Sequence, residues 1–231
     1  MLKESEKLRR VTQIKGLLRI RNLHSKLVNT WFTDECWFTS DGIAQKKDGY
    51  YWALSKEAVK PVEFQEHPIK VHVWSAISVR GIIGPYFFHQ NGQNINVNQF
   101  TYQDCLRWFI KELKTRKFYR SAILMQDGAT PHTALSTRTF LNDHFRNRVI
   151  GKHFDWPWPP RSPDLTPADF YLWPVIKRNM YVSSSAFKSI GSLKRSITYH
   201  HRGLSRLNRD FLIPEVIRRW KLCVEMKGSR L

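Results

Sequence analysis

Three aspartates carry the chemistry this sequence offers. Asp34 stands in TDECWF, inside a run of aromatic and β-branched residues; Asp127 follows the apolar run AILMQ and precedes Gly128; Asp169 lies in TPADFYLW, behind a proline-rich stretch. A carboxylate among core-type residues is unfavourable unless a cation or a hydrogen-bond donor meets it. Three convergent carboxylates are hard oxygen ligands that hold Mg²⁺ or Mn²⁺ and leave positions open for phosphate oxygens. Two such ions about 3.5–4 Å apart activate a water or hydroxyl on one side of a phosphodiester and stabilise the leaving oxygen on the other. Each acid also has an ordinary explanation: a solvent-facing strand residue at Asp34, a turn opener at Asp127, a helix N-terminal acid at Asp169. Their joint presence in a strongly basic chain favours the metal-binding alternative.

Patterning identifies the elements that would position them. VNTWFTDECWFTSDG ends on an Asp41-Gly42 turn signal and predicts a strand with Asp34 midway. VHVWSAISV over 71–79 predicts a second strand, and Arg80-Gly81 turns the chain into a third, antiparallel one over 82–88. A short strand near Ile95 follows. Leu106, Phe109, Ile110 and Leu113 recur at helical intervals within 100–117. SAILMQDG reads as a short buried central strand, and strand ends are where open α/β sheets place ligands. A helix over 132–145 and a strand over 149–154 come next. Residues 156–167 hold five prolines in twelve positions and predict an ordered, irregular loop. Thr166 as N-cap, Pro167 at N1 and Asp169 at N3 then open a helix. Two more helices are expected near 186–201 and 214–225. This order gives an α/β fold on a mixed sheet.

The composition narrows the partners. The chain has 231 residues, 42% apolar and 13% aromatic, enough for a substantial core. Lys and Arg number 38 against 19 Asp and Glu, a net charge of +19, so a polyanion is the first partner to expect. Residues 1–29 hold eight basic and two acidic side chains at helical periodicity, predicting a basic helix or helix pair laid on the main body with its charges in water. Residues 177–231 hold thirteen basic against three acidic side chains. Arg161, Lys177, Arg178, Lys194, Arg195, Arg218 and Arg219 are the candidate phosphate contacts, able to position nucleic acid without reading its bases. Trp156 and Trp158 are candidates for stacking on an unpaired base, whereas Trp173 fits core packing better. His200 and His201 are expected at the surface. No apolar run is long enough to span a bilayer, and the N-terminal residues do not form a secretory signal. Cys36, Cys105 and Cys223 lie too far apart for a disulfide framework or a paired-cysteine zinc site. A reducing, intracellular setting fits.

TDECWF, MQDGATPHTA and WPPRSPDLTPADFYLW resemble, in order, the three acidic blocks of the mariner/Tc1 transposase superfamily, and IPEVIRRWKLCVEMKG resembles its final helix. The resemblance runs from about Trp31 onward. It implies a ribonuclease H-like fold with helices on both faces of the sheet. It also implies a two-metal-ion DNA endonuclease and strand transferase using Mg²⁺ or Mn²⁺, with Asp34, Asp127 and Asp169 as catalytic metal ligands. Transposon ends and target DNA are the implied partners, together with a second copy of the chain and no membrane; the implied location is the nucleus. Asp164 is the rival for the third acid, but it falls within the loop, and Asp169 is preferred. His132 matches the family's usual His after the second acid, near phosphate or orienting the Asp127 loop, and with Glu35 and Asp164 it forms the candidate surroundings of the acids.

Three departures stand out. Gly128 replaces a common Asn, and 41 residues separate Asp127 from Asp169, longer than usual. Only 33 residues precede Asp34, too few for the family's paired helix-turn-helix modules. Residues 1–29 are therefore expected to be a linker and lead-in helix, and 30–231 the catalytic domain. The alternative is a truncated or domesticated remnant that binds nucleic acid without catalysis. A hybrid-cleaving ribonuclease is a weaker third reading, disfavoured by the proline-rich SPDLTPAD block.

Overall fold

The computed structural model describes residues 2–42, 68–183, 187–205 and 209–231. A five-stranded sheet has the order β3-β2-β1-β6-β7. Its long strand β1 (Thr30–Thr39) sits at the centre, antiparallel to β2 (Lys70–Ser78) and parallel to β6 (Ile123–Met125). β3 (Gly81–Phe87) continues the antiparallel meander, and β7 (Val149–Ile150) adds a parallel edge. The strand expected near Ile95 is a minimal hairpin, β4 (His89–Gln90) with β5 (Gln93–Asn94).

Alternation along β1 divides the core into two layers. Phe32 and Phe38 join one cluster with Ile14 and Leu17 of α1 (Glu4–Leu18), Leu27 of α2 (Leu23–Val28), Ile176 and Met180 of α6 (Trp173–Ser183), Leu193 of α7 (Ile190–Ser205) and Trp220 of α8 (Leu212–Glu225). Trp31 joins the other, with Phe109 of α3 (Gln99–Thr115), Leu141 of α5 (Leu135–Phe145) and Leu124 of β6. Helices thus cover both faces of a mixed sheet. No described helix is long and apolar enough to cross a membrane.

Local chemistry explains the boundaries. Asn98 caps α3 by accepting from the Phe100 and Thr101 backbone N–H groups, and the Thr101 hydroxyl accepts from the Asn98 N–H in return. A reciprocal pair of bonds between Ser189 and Ser192 starts α7 at Ile190 rather than near 186, which lies outside the described residues. β7 stops at Ile150 because Gly151 turns the chain, its N–H donating to Trp156 O and its carbonyl accepting from Phe154 N. The segment expected as one helix over 132–145 is a short turn, α4 (Thr130–Thr133), followed by α5.

The helix pair expected within residues 1–29 is present, but one of its charges is not in water. Arg10 is fully buried, its guanidinium donating to both carboxylate oxygens of Asp164, to Ser162 Oγ and to the carbonyls of Gly228 and Ser229.

Candidate active site

Asp34 and Asp127 reach one end of the sheet from neighbouring parallel strands. Phe32 of β1 pairs with Met125 of β6, so Asp34 and Asp127 each lie two residues beyond a matched pair. Asp169 comes from the third segment. The proline-rich loop contains one tight turn (Pro163–Leu165), then Thr166 in extended backbone, then a π-helical turn (Ala168–Leu172) that runs into α6. The Thr166 carbonyl accepts from Asp169 N and Phe170 N, but the turn that follows is π-helical and Pro167, not the expected Thr166, stands at its N-cap. Single π-turns of this kind are frequent at functional sites.

The electrostatics record how closely the acids approach. Withdrawal from water, then the charges of Asp169 and Glu35, raise the Asp34 carboxyl well above the usual range, against the opposing pull of a hydrogen bond from Trp173. Burial, then Asp127 and Asp164, lift Asp169 to about 6, even though it shares a hydrogen bond with Asp34. Charge on Asp169 thus disfavours charge on Asp34, and Asp127 does the same to Asp169; a divalent cation is the species that relieves such repulsion. The donor chemistry fits Mg²⁺ or Mn²⁺, although among the described residues no three His, Cys, Asp or Glu side chains form a ready-made metal cage.

Asp127 behaves differently. Its Oδ1 accepts from the Ala129 N–H at 3.0 Å and from His132 Nδ1 at 2.6 Å. The other ring nitrogen, Nε2, lies 3.2 Å from Glu35 Oε1. Burial works against charge on His132, but Glu35 and Asp127 together outweigh it and lift the imidazole to about 10. The ring is thus an imidazolium donating to both carboxylates. Burial would raise Asp127 as well, yet His132 and the Ala129 N–H hold it below its usual range. Of the two roles considered for His132, the geometry is that of a clamp on Asp127. Glu35 reaches it from the face of β1 opposite Asp34, stacked over by Tyr102, whose ring centroid is 4.1 Å from the imidazole.

Asp164 is near enough to raise Asp169, but it is held in an ion pair. Both its oxygens are taken by Arg10, at 2.9 and 2.6 Å, and the Leu231 N–H donates to it as well. The other sequence candidates divide. Lys177 lies against the Cys36 thiol, which is itself in range of Asp34 and Asp169. Arg178 and Arg195 are exposed. Lys194 bonds His89 Nδ1 at 2.8 Å, and Arg161 pairs with Glu6 while staying largely exposed. Arg218 and Arg219 both close on Glu215 at 2.7 Å, and Arg219 also donates to the Asp164 carbonyl.

Three expectations for aromatic and histidine side chains need correction or refinement. Trp158 is buried against Trp220, with no face left for a base. Trp156 carries Lys26 over its ring at 4.3 Å. His201 is not a surface residue: it is buried, its Nδ1–H donates to the Ile197 carbonyl and its Nε2 accepts from the Ser75 hydroxyl at 2.8 Å. Residue-type reasoning also missed the indole of Trp173, whose Nε1–H donates to Asp34 Oδ2 at 2.8 Å. The signal was present in the spacing: Asp169, Trp173 and Lys177 recur every four residues, on one helical face.

No protein-family model matches the chain. It is 29% identical over 203 residues to the transposable element Tc3 transposase of Caenorhabditis elegans, covering 85% of this chain and 54% of that protein. It is 27% identical over 242 residues to the Homo sapiens histone-lysine N-methyltransferase SETMAR, covering 99% of this chain and 32% of that protein. The chain therefore spans about half the length of one relative and a third of the other. Among solved structures it resembles a Mos1 transposase paired-end complex with the left transposon end, at a TM-score of 0.78 and 24% identity, covering all of this chain and 64% of that one. It also resembles the Mos1 transposase catalytic domain with raltegravir and Mg, at a TM-score of 0.75 and 21% identity, covering 100% of this chain and 99% of that one. The fold is ribonuclease H-like.

Proposed function

Because this chain is a homologue of the mariner/Tc1 transposase catalytic domain, we propose that it is a metal-dependent DNA endonuclease and strand-transferase domain. It would cut phosphodiester bonds at transposon ends and join the freed 3′-hydroxyl to target DNA, within the nucleus and with a second copy of the chain as partner. The observation that carries this reading is the placement of Asp34 and Asp127 two residues beyond a matched pair on neighbouring parallel strands, with Asp169 near enough to raise the Asp34 carboxyl.

In this reading the three aspartates hold two Mg²⁺ or Mn²⁺ ions. Bound there, the ions would supply a nucleophile at neutral pH and neutralise charge on the phosphate. The protein's own share is positioning. His132 fixes the Asp127 carboxylate from one side, and Glu35 keeps His132 charged. Lys177, beside the Cys36 thiol, and exposed Arg178, Arg195 and Arg161 would receive backbone phosphates, an interaction that falls steeply with salt. The solved Mos1 complexes with transposon-end DNA, Mg and Mn support the reading by analogy of fold.

A second reading, a nucleic-acid-binding remnant without catalysis, draws on the absence of a ready-made metal cage among the described residues. Nicking of supercoiled plasmid in Mn²⁺ separates the two. The endonuclease reading expects nicked and linear products from the wild type and none from Asp127→Ala. Equal nicking by both proteins, or none by either, leaves the remnant.

A further inference from the structure

Trp173 is nearly inaccessible to solvent, and its ring is held from two sides. Phe38, four residues after Asp34 on the same face of β1, packs edge-on at 6.0 Å and 74°. His201 of α7 packs from another side at 6.0 Å and 62°. His201 is in turn anchored by Ser75, the residue directly opposite Asp34 in the β1–β2 register. Gly84 on β3 leaves the room Ser75 needs, because a Cβ there would collide with the Ser75 hydroxyl. The indole therefore has no freedom to turn, and its single N–H donor is spent on one oxygen of Asp34. The partners around it come from β1, β2, β3 and α7, while the ring itself sits one helical turn after Asp169.

An apolar residue would fill this position as well as tryptophan does. What tryptophan adds is a donor aimed at a partly buried carboxylate in a crowd of acids. A carboxylate free to rotate would spread its oxygens over several orientations, and neighbouring charge would drive it away from Asp169. Hydrogen bonds that orient a ligand typically contribute 10–100-fold to metal affinity.

We infer that Trp173 is a positioning residue of the acid site: its indole N–H fixes the orientation in which Asp34 meets a divalent cation. This rests on the assignment of Asp34 as a cation ligand. Trp173→Phe keeps the ring and removes the donor. Free Mn²⁺ followed by electron paramagnetic resonance during titration of the full chain is expected to show binding weakened about tenfold in Trp173→Phe. Trp158→Phe, at a buried tryptophan elsewhere in the fold, is expected to bind as the wild type does. The Mn²⁺ concentration that half-activates nicking should rise in parallel, with the rate at saturating Mn²⁺ little changed.

Wild-type affinity in Trp173→Phe, alongside lost affinity in Asp34→Asn, would overturn the inference and leave the function intact. Equal binding by wild type and Asp34→Asn would overturn the assignment of Asp34 and the inference with it. A measurement on the unsubstituted protein covers the case in which Trp173→Phe does not fold. With ¹⁵N-labelled tryptophan, one of the nine indole N–H signals should move during a Mg²⁺ titration, with the same midpoint as binding. Nine stationary indole signals would overturn the inference.

Discussion

Arg10 and Asp164, 154 positions apart, are joined by a two-pronged ion pair in which Nη1 meets Oδ1 at 2.9 Å and Nη2 meets Oδ2 at 2.6 Å. The arginine side chain is fully buried and the aspartate only 9% exposed. This pair ties the first helix to the proline-rich loop that leads into Asp169. Removing one partner leaves the other charge buried without a counterion, which typically destabilises by about 3–5 kcal/mol. Arg10→Ala and Asp164→Ala should both lower the unfolding free energy obtained from urea titration by an amount in that range. The joint replacement Arg10→Met with Asp164→Leu should lose much less. Folded Asp164→Asn should still nick plasmid, which would separate its role from that of Asp169.

Asp169→Asn should do the opposite. In the absence of divalent cation it removes one of two carboxyls that oppose each other, so the melting temperature should rise, with a gain of roughly 1–2 kcal/mol. Nicking should be abolished. Adding Mg²⁺ should stabilise the wild type and not the variant, as read by thermal denaturation with and without EDTA.

His201 predicts a pH dependence of stability. Burial lowers its pKa to about 4 in the fold, from 6.5 in the unfolded chain. Between these values the unfolded state binds the extra proton, so stability falls as pH drops through this window and is fully present above pH 6.5. The slope from this residue is about 1.4 kcal/mol per pH unit at its steepest. His201→Gln should flatten the change in urea midpoint between pH 7 and pH 5; an unchanged slope would assign the acid sensitivity elsewhere.

The Glu35–His132–Asp127 chain predicts non-additivity. If Glu35 acts on cleavage by keeping His132 in place, then Glu35→Gln and His132→Ala should not add. The double variant should nick no more slowly than His132→Ala, which itself is expected to be about 10–100-fold slower than wild type. Single-turnover nicking rates for the four proteins provide the cycle.

The three acids stand out in the sequence because each sits where its local pattern is broken: a charge inside β1, at the end of the apolar β6 run, and two residues after Pro167, the last proline of the loop. The sheet was legible too, since alternation in β1 and β2 and continuous burial in β6 leave little choice of element. What could not be read was side-chain direction across long separations. Local pattern preferred Asp169 to Asp164, but it could not show what holds Asp164: Arg10 does, from the far end of the fold. His200 and His201 look alike in sequence, yet only the second turns toward Ser75 and the core. Trp173 was read correctly as a packing residue, and its polar edge was overlooked because hydrophobic patterning scores the ring and ignores the N–H.

The guanidinium that steadies the loop before Asp169 also donates to the carbonyl of Gly228, 218 positions later, at 2.9 Å. During synthesis at the ribosome, helix α1 emerges long before that carbonyl exists. Until residue 229 has left the exit tunnel, Arg10 lacks several of its acceptors and the loop lacks its full anchorage. The acid-bearing loop is therefore fully anchored only after some sixty further residues have been made, and a product stalled or cleaved before residue 228 carries the first two aspartates without a secured third.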